Sequence, residues 1–242
     1  IIVLHGISMR GAEYVDGKLG AWREGGREVE QYNCKGFLEM AGVKGCRVIL
    51  PSANLTSYAP LLKVLQETMK VGDGVQPQPS WFDQEKDMQD PSFSFNWSAP
   101  DSIACVAYVH SLVRNEITRG IAPNRIFILG HSQGGCAASR AALTFPDAPL
   151  GGLLMLSAWF ASPDIAKVVA PAQQTLKVLA ACSPDDKIMP FKPLCESLEA
   201  LKGAVGPHNF NGGEQVILEP DNAPMLGEHA PFPPSIAAPV AA

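Results

Sequence analysis

Residues 125–146 read Arg125-Ile126-Phe127-Ile128-Leu129-Gly130-His131-Ser132-Gln133-Gly134-Gly135-Cys136-Ala137-Ala138-Ser139-Arg140-Ala141-Ala142-Leu143-Thr144-Phe145-Pro146. The short apolar run Arg125–Leu129 predicts a buried strand. The segment Gln133–Phe145 predicts a helix, stopped by Pro146. Between them Gly130-His131-Ser132-Gln133-Gly134 fits G-x-S-x-G. A serine on so sharp a strand-to-helix turn sits in a strained conformation that presents its hydroxyl above the sheet. Glycines two before and two after leave room for neighbouring backbone to pass closely. The carboxyl end of an open α/β sheet is where ligands bind, and the helix N-terminus behind the serine favours developing negative charge.

The flanking sequence repeats the same alternation. Ile1–Leu4 is a buried strand ending in the turn His5-Gly6. Arg47–Leu50 is a second strand, stopped by Pro51. Asp101–Arg119 is a helix with an apolar stripe of Ile103, Val106, His110, Val113 and Ile117, and Pro100 suits its first turn. Gly152–Leu156 and Leu176–Ala181 are further strands, Phe191–Lys202 is a helix ended by Gly203, and Gln215–Leu218 is the last strand. A shorter helix is expected around Tyr32–Ala41. Solid apolar strands alternating with helices imply an α/β fold: a mostly parallel central sheet with helices on both faces. The connection 52–79 carries an amphipathic piece, Leu61, Leu62, Leu65 and Met69, followed by Gly72, Gly74, Pro77 and Pro79. A connection of that length inside a compact domain suits a lid or flap. The organisation expected is one domain over residues 1–230 with loop insertions, then a loose Pro/Ala-rich tail, 231–242. No internal repeat is visible.

Composition narrows the class. The 242 residues are 46% hydrophobic and 18% charged, enough apolar content for a core and too little charge for a disordered chain. With 19 Lys and Arg against 24 Asp and Glu, the net charge is −5. That balance argues against a nucleic-acid partner, which needs clustered basic residues. The six cysteines include no C-x-x-C pair and read as buried thiols rather than as a zinc ribbon, redox site or disulfide framework. The longest apolar stretch, Leu150–Ala161, is too short to span a membrane. No leader is visible, and the chain opens on Ile1 without a Met, so its native start is expected to lie upstream. Asn54-Leu55-Thr56 and Asn96-Trp97-Ser98 match the glycosylation pattern, which is short enough to arise by chance.

A serine hydroxyl is a poor nucleophile until a base takes its proton. On this type of fold the order is Ser, then Asp or Glu, then His. Asp185 and Asp186 both stand just after the strand Leu176–Ala181. Two histidines follow Ser132: His208 precedes the last strand and His229 follows it, so His229 is read as the base. His110 lies on its helix stripe as a core histidine, and His131 is a spacer within the turn. The tetrahedral intermediate needs two backbone N–H donors. Gln133 supplies one, and Ile7, in the loop after the first strand, supplies the other.

These residues resemble the acyl-protein thioesterase, or carboxylesterase/lysophospholipase, family of α/β-hydrolases. The resemblance rests on Val3-Leu4-His5-Gly6, Pro79-Ser80-Trp81-Phe82-Asp83, Gly120-Ile121-Ala122-Pro123-Asn124-Arg125-Ile126, Gly130-His131-Ser132-Gln133-Gly134-Gly135, Leu156-Ser157-Ala158-Trp159 and Asp186-Lys187-Ile188-Met189-Pro190. It selects Asp186 over Asp185, because the family acid stands four residues before that proline. It departs at Ser8-Met9, where the family has Gly and Asp, at Cys182-Ser183, and in the longer Pro-rich approach to His229. The resemblance implies a Ser132-Asp186-His229 triad acting on acyl esters or on S-acylated protein or lipid substrates. It implies no metal or organic cofactor, at most peripheral membrane contact and a cytoplasmic setting, and leaves the oligomeric state open, monomer or weak dimer. Leu61, Leu65, Met69, Trp81 and Phe82 are the residues expected to wall an acyl groove.

Overall fold

Short apolar runs separated by helical segments fold here into a parallel sheet covered on both faces. The computed structural model describes residues 1–7, 10–11, 23–24, 27–28, 45–56, 63, 77–84, 95–160, 165–182, 186, 189 and 191–205. In chain order its strands are β1 (Ile2–Leu4), the two-residue strands β2 (Arg23–Glu24), β3 (Arg27–Glu28), β4 (Leu55–Thr56) and β5 (Gln78–Pro79), then β6 (Phe127–His131), β7 (Gly152–Leu156) and β8 (Val178–Ala181). Its helices are α1 (Pro100–Thr118), α2 (Gln133–Thr144) and α3 (Phe191–Val205).

The main sheet runs β1-β6-β7-β8, with every neighbouring pair parallel. Successive strand residues point to opposite faces. Ile2, Val3 and Leu4 are all buried, as are Ile128 and Leu129, so both faces are covered at the centre. At β8 the cover thins, and Leu179 is 43% exposed. The register pairs Leu4 with Gly130, Gly130 with Met155, and Met155 with Ala180. All four strands therefore end at one level, and the turns after them share one rim.

Several boundaries differ from the sequence expectation. Arg47–Leu50 contributes only a bridge: Ile49 pairs with Ile2, and the Val3 and Ile49 N–H groups donate to Ile49 O and Ile1 O. The strand expected at 125–129 is shifted to Phe127–His131, because Pro123–Arg125 closes a 3-10 turn with Ile126 N–H donating to Pro123 O. Likewise β8 starts at Val178, since Leu176 N–H is taken up by Gln173 O in the preceding turn. Helix α3 passes through Gly203, and Val205 completes its buried row of Leu194, Leu201 and Val205. The expected helix Tyr32–Ala41, the strand Gln215–Leu218 and the tail 231–242 lie outside the described residues.

The stripe on α1 is the clearest correction. Ile103 is 56% exposed, and the buried row is Ser102, Cys105, Val109, Val113 and Glu116, with His110 beside it. This rotation packs the row toward α2, where His110 Nε2–H donates to Ala141 O at 2.8 Å. It also buries Glu116, which is tolerated because Arg47 Nε and Arg119 Nε reach its carboxylate at 3.2 and 3.3 Å. Apolar spacing alone could not see partners supplied from another element.

Among the described residues five cysteines, Cys46, Cys105, Cys136, Cys182 and Cys195, are free. Cys46 is exposed and Cys195 half-buried, so the expectation of uniformly buried thiols fails at those two positions. No helix among the described residues is long and apolar enough to cross a membrane.

Candidate active site

The rim of the sheet carries Ser132, Gln133 and the loop His5-Gly6-Ile7. Ser132 lies between β6 and α2 with φ 53° and ψ −128°, a region that non-glycine residues rarely occupy. Its N–H continues the ladder to Leu156 O at 3.0 Å, while its own carbonyl already accepts Gly135 N–H at 2.8 Å as the helix starts. The chain therefore switches from strand to helix within one residue.

The glycines around it are required sterically. A Cβ on Gly134 would lie 2.3 Å from His5 O and 2.4 Å from Leu4 O. One on Gly130 would lie 2.2 Å from Gly134 O, and one on Gly135 would lie 2.3 Å from the Ala158 Cβ. The turn is thus packed directly on the end of β1 and on the residue after Ser157. Gln133, at the first position of α2, has no intrahelical acceptor for its N–H. That N–H stands beside Ser132 at the positive end of the helix dipole.

Gln133 also has a role that sequence reasoning missed. Its side chain is fully buried and clamps the segment after β5. Oε1 accepts Trp81 N–H at 3.0 Å, and Nε2 donates to Phe82 O at 2.9 Å and to Ser80 Oγ at 3.0 Å. Ser80 Oγ in turn donates to Phe82 O at 2.7 Å. A backbone donor on one side and a backbone carbonyl on the other fix which amide atom is which. Nothing in the sequence marks this contact, since its partners stand about 50 positions apart.

His5 is the second such residue. Its ring accepts Ala53 N–H on Nε2 at 2.9 Å, so the ring proton is on Nδ1, which donates to Gly6 O at 2.6 Å. Its own carbonyl accepts the Trp81 indole N–H at 2.8 Å, and the two rings lie 4.8 Å apart. Burial lowers the pKa of His5 to about 4, so the ring is neutral near pH 7. Ile7 follows in the same loop and is buried.

Trp81 and Phe82 are core residues, 6% and 2% exposed. Phe82 packs against Phe95 and Trp97 with ring centroids 4.6 and 5.2 Å away. Both also border a cavity of about 830 Å³ between residues 52–56, residues 80–83 and the first turns of α1. Asp83, Asp101 and Tyr108 share its lining. The ribbon beside it, β4 paired antiparallel with β5, brings the two ends of residues 57–77 together.

Asp186, five residues beyond β8, is 7% exposed. Its Oδ1 accepts Met189 N–H at 2.8 Å, and the Cys182 thiol reaches Oδ2 at 3.8 Å. Strands β6 and β8 are two spacings apart, about 10 Å, with β7 between them. Asp185, His208, His229, Leu61, Leu65 and Met69 lie outside the described residues. Cys136, next to the turn, is no rival nucleophile: burial pushes its thiol up to about 12, as it does for Cys105. Among the described residues no cluster of His, Cys, Asp and Glu could hold a metal ion.

A family model described as phospholipase/carboxylesterase matches residues 66–216. Acyl-protein thioesterase 1 of Gibberella zeae is 39% identical over 99 residues, 40% of this chain and 42% of that protein. Carboxylesterase SOBER1 of Arabidopsis thaliana is 32% identical over 131 residues, 52% of this chain and 54% of that protein. A rice relative described as a probable inactive carboxylesterase is 32% identical over 127 residues, 52% of this chain and 50% of that protein. The chain spans about half the length of these curated relatives. The crystal structure of Arabidopsis thaliana SOBER1 superposes with a TM-score of 0.59 at 22% identity, covering 84% of this chain and 82% of that one. At that identity the likeness is one of fold.

Proposed function

The chain belongs to the phospholipase/carboxylesterase family of α/β-hydrolases, and from that premise we propose that it cleaves acyl thioesters or carboxylesters through Ser132, Asp186 and His229. The observation that carries this reading is the backbone of Ser132, held at φ 53° and ψ −128° on a turn packed by three glycines. Because one relative is described as inactive, family membership alone does not establish catalysis, and the strained serine is the stronger argument.

In the proposed reaction Ser132 Oγ attacks the acyl carbon while His229 takes its proton. The negative oxygen of the tetrahedral intermediate is met by the Gln133 and Ile7 N–H groups. Collapse returns the proton to the departing thiolate or alkoxide and leaves an acyl-enzyme. Water, giving its proton to His229, then attacks the acyl carbon; the bond to Ser132 Oγ breaks, His229 returns the proton to Oγ, and the acid leaves. Asp186 orients the imidazole and balances its charge. Its support is position: Asp186 follows β8, which lies two strand spacings from β6 in the same sheet. The connection 52–79 is proposed as a flap that selects acyl length, because β4 and β5 clasp its two ends beside the cavity.

A fluorophosphonate probe tests the reading. The native chain is expected to label at Ser132, and Ser132→Ala to abolish it. His229→Ala should remove most labelling while His208→Ala leaves it intact. Asp186→Asn should reduce kcat by about 10³–10⁴-fold, with little change in Asp185→Asn. No labelling of Ser132 in folded native protein overturns the proposal. An S-acylated peptide compared with short nitrophenyl esters separates thioesterase from short-chain esterase. Deleting Tyr58–Val75 should alter chain-length preference, and an unaltered preference in the folded deletion rejects the flap.

A further inference from the structure

We propose that His5 is a positioning residue that ties the oxyanion-stabilising loop to both ends of the 52–82 excursion, its ring to Ala53 and its carbonyl to Trp81. This rests on the reading of Ile7 N–H as an oxyanion donor. The loop His5-Gly6-Ile7 leaves β1 at the rim, where a donor must be held within a few tenths of an ångström to favour the transition state. Three bonds converge on His5. Ala53, two residues before β4, donates its N–H to Nε2 at 2.9 Å. Trp81, two residues after β5, donates its indole N–H to the His5 carbonyl at 2.8 Å. Within the loop, Nδ1–H holds Gly6 O at 2.6 Å. The ring is fully buried, so none of these bonds is exchanged for solvent.

The geometry has a direction. Trp81 is itself clamped by Gln133 beside Ser132, and Gly134 is packed under the His5 carbonyl. The nucleophile turn, the oxyanion loop and the base of the excursion therefore form one closed circuit, and His5 is the member that joins two of its parts. Loss of the Ala53 bond would release the ring from β4 and let the loop shift without unfolding the sheet. An oxyanion donor acts mainly in the transition state, so the loss should appear in kcat and not in KM.

The test uses three variants of the full chain, with a short nitrophenyl ester and with fluorophosphonate. In His5→Gln the side-chain oxygen reaches the place of Nε2 and can still accept Ala53 N–H. In His5→Asn the amide can serve only the Gly6 carbonyl. His5→Phe keeps the shape and neither bond. The expected result is kcat within about threefold of native for His5→Gln, and at least about tenfold lower for His5→Asn at unchanged KM. His5→Phe should follow His5→Asn where thermal unfolding shows it folded. Native kcat in folded His5→Asn overturns the proposal, as does equal loss in His5→Gln and His5→Asn. Absence of native labelling at Ser132 would instead overturn the underlying hydrolase reading.

Discussion

Gln133 Oε1 accepts the backbone N–H of Trp81 at 3.0 Å, so the residue that follows Ser132 holds a segment 52 positions earlier in the chain. Both groups are buried, and a buried N–H left without an acceptor costs about 1–3 kcal/mol. Gln133→Leu should therefore destabilise the protein by about 2–3 kcal/mol in urea unfolding. The Phe82 carbonyl is less affected, because Ser80 Oγ still donates to it at 2.7 Å. A variant with native stability would mean that the clamp is not a stabilising contact.

Two of the three glycines at the turn, Gly134 and Gly135, should respond differently to alanine. A Cβ on Gly135 collides with the Cβ of Ala158, a side-chain atom that can be removed. Gly135→Ala is expected to cost about 1–3 kcal/mol, and Ala158→Gly on the same chain to restore more than half of it. The three atoms nearest a Cβ on Gly134 are the Leu4 and His5 carbonyl oxygens and the carbonyl carbon of Leu4, all of them backbone. No truncation rescues that change, and Gly134→Ala should lower Ser132 labelling by about 10²-fold because β1 and the loop His5-Gly6-Ile7 must move. A double-mutant cycle in thermal unfolding checks the first pair, and labelling rates check the second.

Ser157 offers the opposite sign. Its φ is 44°, it is fully buried, and its hydroxyl finds no hydrogen-bond partner among the described residues. A left-handed conformation costs a side-chain-bearing residue about 1–2 kcal/mol, partly offset in glycine by its larger entropy loss. Ser157→Gly should stabilise the chain by about 1 kcal/mol, read as a higher urea midpoint at unchanged slope. A lower midpoint would show that the hydroxyl has a partner worth more than the strain.

Acid should destabilise the protein over a defined window. His5 has its pKa lowered to about 4 by burial, against about 6.5 in an unfolded chain. Between those values the unfolded state binds the extra proton and the folded state does not, so stability falls as pH falls from about 6.5 to about 4. The full effect is about 3 kcal/mol, reached near the lower limit. His110, also lowered by burial, adds in the same direction. His5→Gln should flatten the curve of unfolding free energy against pH in this window. An equally steep curve in that variant would assign the acid sensitivity elsewhere.

Much of the architecture was legible because it is local. The run 125–146 carried its strand, turn and helix in adjacent residues, and Gly152–Leu156 was read to the residue. Boundaries slipped where a turn competed for the same hydrogen bonds, as at Pro123–Arg125 before β6. The face of α1 was misread because Glu116 is buried by arginines on another element and by the end of its own helix. At the candidate site, the strained turn at Ser132 and its glycines followed from spacing. The side-chain roles of Gln133 and His5 did not, since each is defined by partners roughly 50 to 75 positions away.

By itself the sequence determined the α/β alternation and the strained turn at Ser132. These rest on backbone sterics and on hydrophobic period, which neighbouring residues decide. Only the tertiary structure decided how that turn is held. It packs Gly134 under the end of β1, clamps Trp81 through Gln133, and joins Ala53 and Trp81 through His5. The physical reason is burial. A polar group removed from water must find its partner wherever the fold brings one, and that partner need not be near in sequence.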